Sequence, residues 1–507
     1  MSLPIAAAHA VQTLGMLVPA ALVCGWLLSG GSRMRSIFGV LVLAAAPLVL
    51  ASSVIGDDDS SLPALSAALI AAGVVAGAVV LAAATAFFVK YPRAVIPAAL
   101  LTLPFRVPIA VGGESVKLLL PLYLVIAGAV CAHAWAAWRG RESVESQPVR
   151  LLDVSAAAFL GLYALQSAWS GDVAVATQNF CFFYAPFVLL YGLAARQRWD
   201  AQLLRWSAGV LVAVALVLVF AGYIEFALGE YLVRPEGIRP NDFDPYFRVQ
   251  SLFFDPNIYG RFVAIVMIVV CALMLFTQRT VRVLLCALVL ALLWAGLVIS
   301  LSQSSFAALL AGLIALAAMR WRAKPVLIAT GAVLLAGLVF ALAFPSTSGI
   351  DISSQRAFET STSGRFDLVT GAFDLWGEAP LLGHGSGDFS RAFSEQRLSG
   401  ESAFGEATTS KSHTAPLTVL AEQGIVGIIA FGFFIWFAFA AVYRRVGRTD
   451  GERRPGLVAR IAVAAAFTAL FVHSLAYAAL LEDPLFWTML GVAVSLAAIP
   501  REGSELE

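Results

Sequence analysis

The chain has 507 residues, 60% hydrophobic and only 13% charged, with a mean hydropathy of +0.86. Soluble globular chains carry about a quarter charged residues, so a water-soluble core is excluded, and a net charge of +1 offers no electrostatic footprint for nucleic acid. The five cysteines, Cys24, Cys131, Cys181, Cys271 and Cys286, lie inside apolar stretches with no CxxC or paired spacing, which speaks against a disulfide frame or a thiolate metal site.

Apolar runs between charged breaks predict transmembrane helices at 4–29, 36–56, 62–89, 94–111, 115–138, 151–169, 177–196 and 203–228. They continue at 257–277, 283–301, 305–320, 325–344, 415–442, 457–480 and 485–499. A hydrocarbon core about 30 Å thick needs about 20 apolar residues. The shortest runs are candidates for re-entrant segments, so the expectation is an all-α polytopic membrane protein with about 12–15 transmembrane helices. The first run has no basic n-region before it and no cleavage site after it, and it reads as a span and not as a removed signal peptide.

Basic residues favour cytoplasmic loops, and here every second loop is basic. Arg33 and Arg35, Lys90 and Arg93, Arg139 and Arg141, Arg196 and Arg198, and Arg279 and Arg282 open the series. Arg320, Arg322 and Lys324, then Arg444 to Arg454, close it. The loops between are acidic or neutral, such as Asp57-Asp58-Asp59 and Glu482-Asp483. This alternation puts the C-terminus in the cytoplasm and, with an odd number of spans, the N-terminus outside. The whole chain, 1–507, reads as one transmembrane domain with two long external segments, 229–256 and 345–412. Loops of that length in a compact protein are usually functional. In the second, Phe366, Val369, Phe373 and Trp376 recur at helical spacing, predicting an amphipathic external helix.

Three polar sites combine chemistry with position. Arg248, in Arg248-Val249-Gln250-Ser251-Leu252, sits at the outer membrane surface, where its planar fork suits a phosphate or diphosphate; the plainer reading is an arginine snorkelling to headgroups. Thr362-Ser363-Gly364-Arg365 opens the external helix, where free N–H groups favour an anion, or where Ser363 is simply a cap. His413, in Ser412-His413-Thr414, lies where the chain re-enters the membrane, and a histidine there takes a proton from a hydroxyl at neutral pH or is merely structural. Two arginines and a histidine, remote in sequence, fall on one side of the membrane.

These residues resemble the O-antigen ligase and Wzy-type O-antigen polymerase superfamily. The resemblance rests on the Arg-x-x-x-Leu pattern at 248–252, the Ser-Gly-Arg of the large loop, and the histidine followed by Gly424-Ile425-Val426-Gly427. Pro380-Leu381-Leu382-Gly383-His384-Gly385 is similar to the family's Pro-x-x-Gly-x-Gly segment, and the likeness spans about 175–499. It implies a metal-independent, GT-C-like membrane fold without cofactors. It also implies a polyprenyl-diphosphate-linked glycan donor, a glycolipid or glycan acceptor, and an active site on the external face of the cytoplasmic membrane. By that likeness Arg248 and Arg365 hold the diphosphate and His413 activates the acceptor hydroxyl. The leading subtype is a ligase delivering a finished glycan to an acceptor such as lipid A–core; a polymerase uses the same chemistry. The family's Ser-Arg at the outer end of the span 283–301 is replaced here by Ser302-Gln303-Ser304-Ser305.

Other polar residues widen the field. Arg106, between Pro104 and Pro108 in the outer part of a span, and Lys117 near it form a candidate second basic pocket for the lipid diphosphate, with snorkelling as the alternative. Asp242-Phe243-Asp244 has the form of a metal-binding DxD, a tripeptide common by chance. His384, between glycines, is a rival base to His413. His473 and Tyr477 share one helix face and either line the cavity or pack in the core. The rival from another class is a transporter or flippase for lipid-linked glycans, which ordinarily shows internal repeats and midplane charges; no such repeat is evident here.

Overall fold

A computed structural model describes residues 3–55, 67–111, 114–140, 150–233, 247–321, 323–343, 365–399, 414–444, 446, 455–477 and 479–498. The external loop 234–246, with the DxD, and His413 lie outside them.

The protein is an all-α polytopic membrane protein. Its first membrane helices are α1 (Leu3–Leu28), α2 (Ser32–Ile55) and α3 (Ala67–Lys90), followed by the short α4 (Val95–Thr102). Then come α5 (Leu120–Trp138), α6 (Leu151–Gln166), α7 (Val173–Asn179) continued through a π-helical segment into α8 (Ala185–Ala194), and α9 (Ala201–Leu228). The second half holds α10 (Pro256–Phe276), α11 (Thr280–Ser300), α12 (Gln303–Arg320) and α13 (Ala323–Ala343). The long polar segment after α13 supplies α14 (Arg365–Glu378) and α15 (Phe389–Ser399), followed by α16 (Ala415–Val442), α17 (Pro455–Ser474) and α18 (Pro484–Ala498). Among the described residues, 11 helical stretches are long and apolar enough to cross a membrane. Helix α18 is buried all round from Pro484 to Ala497, whereas α3 and α11 turn most of their apolar surface outward, as lipid-facing helices do.

The expected span at 94–111 is corrected. Helix ends at Thr102, and Val107–Val111 pairs antiparallel with Glu114–Leu118 (β1 and β2), from Val107 opposite Leu118 to Val111 opposite Glu114. Pro104 and Pro108 explain the break, because each disfavours helix at the residue before it and withholds an N–H from an α-helical ladder. At membrane depth such irregular backbone persists only where protein covers it.

The basic loops gather at one end of the bundle. Arg93 pairs with Asp200 at 2.9 Å, and Asp200 also caps α9 by accepting the Leu203 N–H at 2.8 Å, which holds its carboxyl below the usual range. The Arg196 guanidinium lies 5.5 Å from the Trp26 ring, and Ser495 bonds the carbonyl of Gln197.

At the opposite end, the segment that carries α14 and α15 docks on α16 through glycines. Gly385 N–H donates to Glu422 O at 2.8 Å and Ile425 N–H to Pro380 O at 2.9 Å. Gly424, at φ +63°, kinks α16, and a Cβ there would stand 2.4 Å from Leu381 O. Gln166 secures the seam by donating to both Leu382 O (3.2 Å) and Gln423 O (3.1 Å). Glu422 accepts the N–H of Gly387 at 2.9 Å. Helix α14 is amphipathic as the sequence predicts, but the face differs. Leu368, Ala372 and Leu375 pack on Phe389, Phe393 and Ala421, while Phe373, of the predicted stripe, is exposed.

Gly424→Ala should destabilise the protein by at least the strain of about 1–3 kcal/mol that a side chain meets at φ +63°, ψ −161°, a region kept almost wholly for glycine, with the collision at Leu381 added. Thermal unfolding in detergent reads this as a midpoint several degrees lower; an unchanged midpoint would contradict the seam. Asp374 is exposed on α14. In Asp374→Cys, an impermeant thiol reagent should label intact spheroplasts, and labelling only after permeabilisation would reverse the topology.

Candidate functional site

Arg248 is held on a short irregular segment between α9 and α10. Buried Glu225 of α9 pins that segment by accepting the N–H groups of Gln250 (3.2 Å) and Ser251 (2.8 Å). Val249 N–H donates to Ile299 O of α11 at 3.3 Å. The backbone turns through left-handed conformations at Ser251 (φ 50°) and Phe254 (φ 55°), which Asp255 follows as the cap of α10, accepting from Asn257 and Ile258. Non-glycine residues avoid that region, so the turn persists because Glu225 and α11 hold it from both sides. The Arg248 side chain is half-buried. Its Nε donates to Ser300 O at 3.2 Å and its Nη2 to Asn257 Oδ1 at 3.0 Å.

One helical turn below Asn257, Arg261 pairs with Asp483 at 2.5 Å, both side chains nearly inaccessible. Asp483 also caps α18 by accepting the Leu485 N–H at 2.7 Å. Tyr477, just beyond α17, donates to Asp255 Oδ2 at 2.6 Å, and the Arg261 guanidinium lies 5.9 Å from its ring. Arg106, following the turn that ends α4, shares with Arg261 and Asp483 a small cleft walled by Phe253, Ile258 and Phe262. Its Nε is buried without a hydrogen-bond partner, and its guanidinium lies 5.8 Å from the Phe253 ring. Arg106 thus faces inward from an unwound segment and does not snorkel outward. Three guanidinium groups and the carboxylates of Asp255 and Asp483 are gathered where α10 and α18 begin and α17 ends; Arg261 is occupied by Asp483, which leaves Arg106 and Arg248 as the donors suited to an anion.

The other candidates stand as follows. Lys117 lies on β2 opposite Pro108, and its side chain is outside the described atoms, as is that of Arg365, whose backbone begins α14. Helix α14 packs against α16. His384 Nε2 lies 2.9 Å from Leu375 O near the C-terminal end of α14, which its N–H satisfies, and 3.7 Å from Glu378. A carbonyl only accepts, so this nitrogen carries the proton and His384 reads as a cap more than as a base. His413 itself is not described, but its neighbour Thr414 donates to Leu475 O at 3.0 Å, two residues past His473. His473 is fully buried, with Nε2 3.2 Å from Ser304 Oγ.

Sequence reasoning passed over Glu225, Arg261 and the partnering of Asp483. An arginine in an apolar run is a visible signal, and Arg261 had it, five residues into a span. Glu225 lies inside the span predicted at 203–228 and Asp483 in a short acidic loop, and only the packing shows what each one holds.

Asp483→Ala should be severely destabilising, by about 3–5 kcal/mol, because it strands a buried guanidinium. Arg261→Met combined with Asp483→Asn removes both charges and keeps a capping side chain, and should restore much of the folded yield. Fluorescence-detected size exclusion with thermal challenge compares the two; equal behaviour of the single and double variants would refute the pairing.

Among curated proteins, none matches the chain. Residues 288–432 match the family model Wzy_C, described as O-antigen ligase. The match takes in the serine cluster at 302–305, α14 with Arg365, the glycine seam and His413, and stops short of Arg106, Arg248, Arg261, His473 and Asp483. The match covers under a third of the chain, and over that stretch the protein is similar to the O-antigen ligase family.

Proposed function

We propose that the protein transfers a glycan from a polyprenyl-diphosphate-linked donor to a hydroxyl acceptor on the outer face of the cytoplasmic membrane, in the manner of an O-antigen ligase. The observation that carries this reading is Arg248, fixed by Ser300 and Asn257 at the outer end of a multi-pass bundle, beside the segment that matches the ligase family. A ligase acting on a finished glycan is the reading we adopt, and a polymerase would share every step below.

In this mechanism the acceptor oxygen attacks the anomeric carbon opposite the diphosphate. The new carbon–oxygen bond forms as the bond to the diphosphate oxygen breaks, so the configuration inverts. The departing oxygen takes the electron pair, and Arg248 and Arg365 stabilise that charge in a site with few competing waters. His413 accepts the hydroxyl proton. Arg106, with Lys117, is assigned to the lipid side of the diphosphate. Support for bringing His413 to Arg248 comes from the Thr414–Leu475 bond, which ties the chain beside His413 to the end of α17.

The reaction is tested with purified protein in detergent, a defined polyprenyl-diphosphate glycan and candidate acceptors. His413→Ala should slow transfer by a hundred- to ten-thousand-fold with donor binding largely kept, and Arg248→Lys should impair it markedly because a point charge replaces a planar fork. A His413→Gln variant near the parent rate would remove the base, and His384 would be the next residue to replace. Cysteines at 248 and 365 should crosslink through a short bifunctional reagent; failure at every spacer length would end the idea of a shared diphosphate.

A further inference from the structure

The position where the family carries an arginine, and this chain carries Ser302-Gln303-Ser304-Ser305, is a buried hydrogen-bonded chain. His473 Nε2 lies 3.2 Å from Ser304 Oγ, Ser304 Oγ 3.2 Å from Ser302 Oγ, and Ser302 Oγ 2.8 Å from Asn257 Oδ1, the atom that receives Arg248 Nη2 at 3.0 Å. Ser305 supports it: its Oγ lies 2.8 Å from Ser302 Oγ, to which it gives its proton, and 3.3 Å from Asn257 O. Ser302, Ser304, Ser305 and His473 are all buried.

The Arg248 end dictates the direction of every bond. A guanidinium only donates, so the Asn257 amide must present its oxygen, and that oxygen only accepts. Ser302 therefore gives its single proton to Asn257 and must accept from Ser304. Ser304, its proton spent, must accept from His473, which sets the tautomer with the proton on Nε2. The chain is polarised from His473 to Arg248, and bonds in such a series strengthen one another.

We propose that His473 is a positioning residue for Arg248, acting through Ser304, Ser302 and Asn257 to hold the guanidinium in its donor-binding rotamer before the donor arrives. The inference rests on the reading of Arg248 as a diphosphate ligand. Arg248 lies on irregular backbone and is half-buried, and the Asn257 bond at Nη2 adds to the Nε–Ser300 O bond in setting the angle of the fork. Preorganisation of this kind acts on the empty site. Once a diphosphate is bound, it holds the fork itself, and the chain adds less.

The test is donor kinetics with a defined polyprenyl-diphosphate glycan at saturating acceptor. His473→Leu keeps the volume and removes the donor; the KM for the glycan donor should rise about five- to tenfold, the effect of one lost hydrogen bond, with kcat changed less than twofold. His473→Gln, whose amide N–H replaces Nε2–H, should return KM to within about twofold of the parent. Ser304→Ala, a small change that folds even if His473→Leu does not, should raise KM to the same degree, and the double variant should be no worse than either single. A purely structural role predicts a lower melting temperature with KM unmoved and no rescue by Gln, which would overturn the proposal. If KM is unmoved while Arg248→Ala still raises it, the relay fails and the diphosphate reading stands. If Arg248→Ala leaves donor kinetics unchanged, that reading fails and takes the relay with it.

Discussion

A guanidinium inside the hydrocarbon region is tolerable only with its counter-charge in place, and the Arg261–Asp483 pair at 2.5 Å meets that requirement at the heart of this protein. Its geometry constrains much else. Asp483 must stand at the start of α18, where it caps the helix, so α18 enters the membrane beside α10. Arg261 must face that point, so Asn257, one turn above, faces the Arg248 segment, and Tyr477 reaches Asp255 at the head of the same helix. Removing one charge costs far more than the pair contributes, because the partner stays behind without a counter-ion. The pair therefore specifies the arrangement more than it stabilises it.

The site is assembled from irregular backbone at membrane depth. The unwound turn before β1 brings Arg106 inward, the left-handed turns at Ser251 and Phe254 present Arg248, and the kink at Gly424 receives the external segment. At the Ser251–Phe254 turn and at the Gly424 kink, neighbouring protein satisfies the backbone polar groups that the break releases. Glu225 takes the N–H groups of Gln250 and Ser251, and Ala421, Glu422 and Pro380 exchange bonds across the glycine seam. Irregular backbone turned toward lipid would leave such groups unpaired at several kcal/mol each. The end of α17 links the parts: His473 reaches toward Arg248 through serines, and Leu475 holds Thr414 beside His413.

The external helix shows how packing overrides pattern. The sequence predicts the aromatic stripe of α14, with Phe373 and Trp376, as its apolar face. The buried stripe is Leu368, Ala372 and Leu375, beside Gly371, where Phe393 of α15 comes so close that a Cβ would stand 2.1 Å from its ring. Periodicity identifies a helix but does not rank its faces when both are apolar.

Much was legible in the sequence by itself. Hydropathy and the alternation of basic loops determined a multi-pass bundle, a long polar segment before α16 and the grouping of basic loops at one end, because lipid imposes one rule on every span. The order of motifs pointed to the ligase family. The tertiary structure alone decided that 94–111 is a broken element, that Arg261 is matched by Asp483 some 220 positions later, and that Ser302 and Ser304 lie between His473 and Arg248. Those pairings are set by which helix faces meet across the bundle, and a partner so distant along the chain leaves no periodic trace in the residues that precede it.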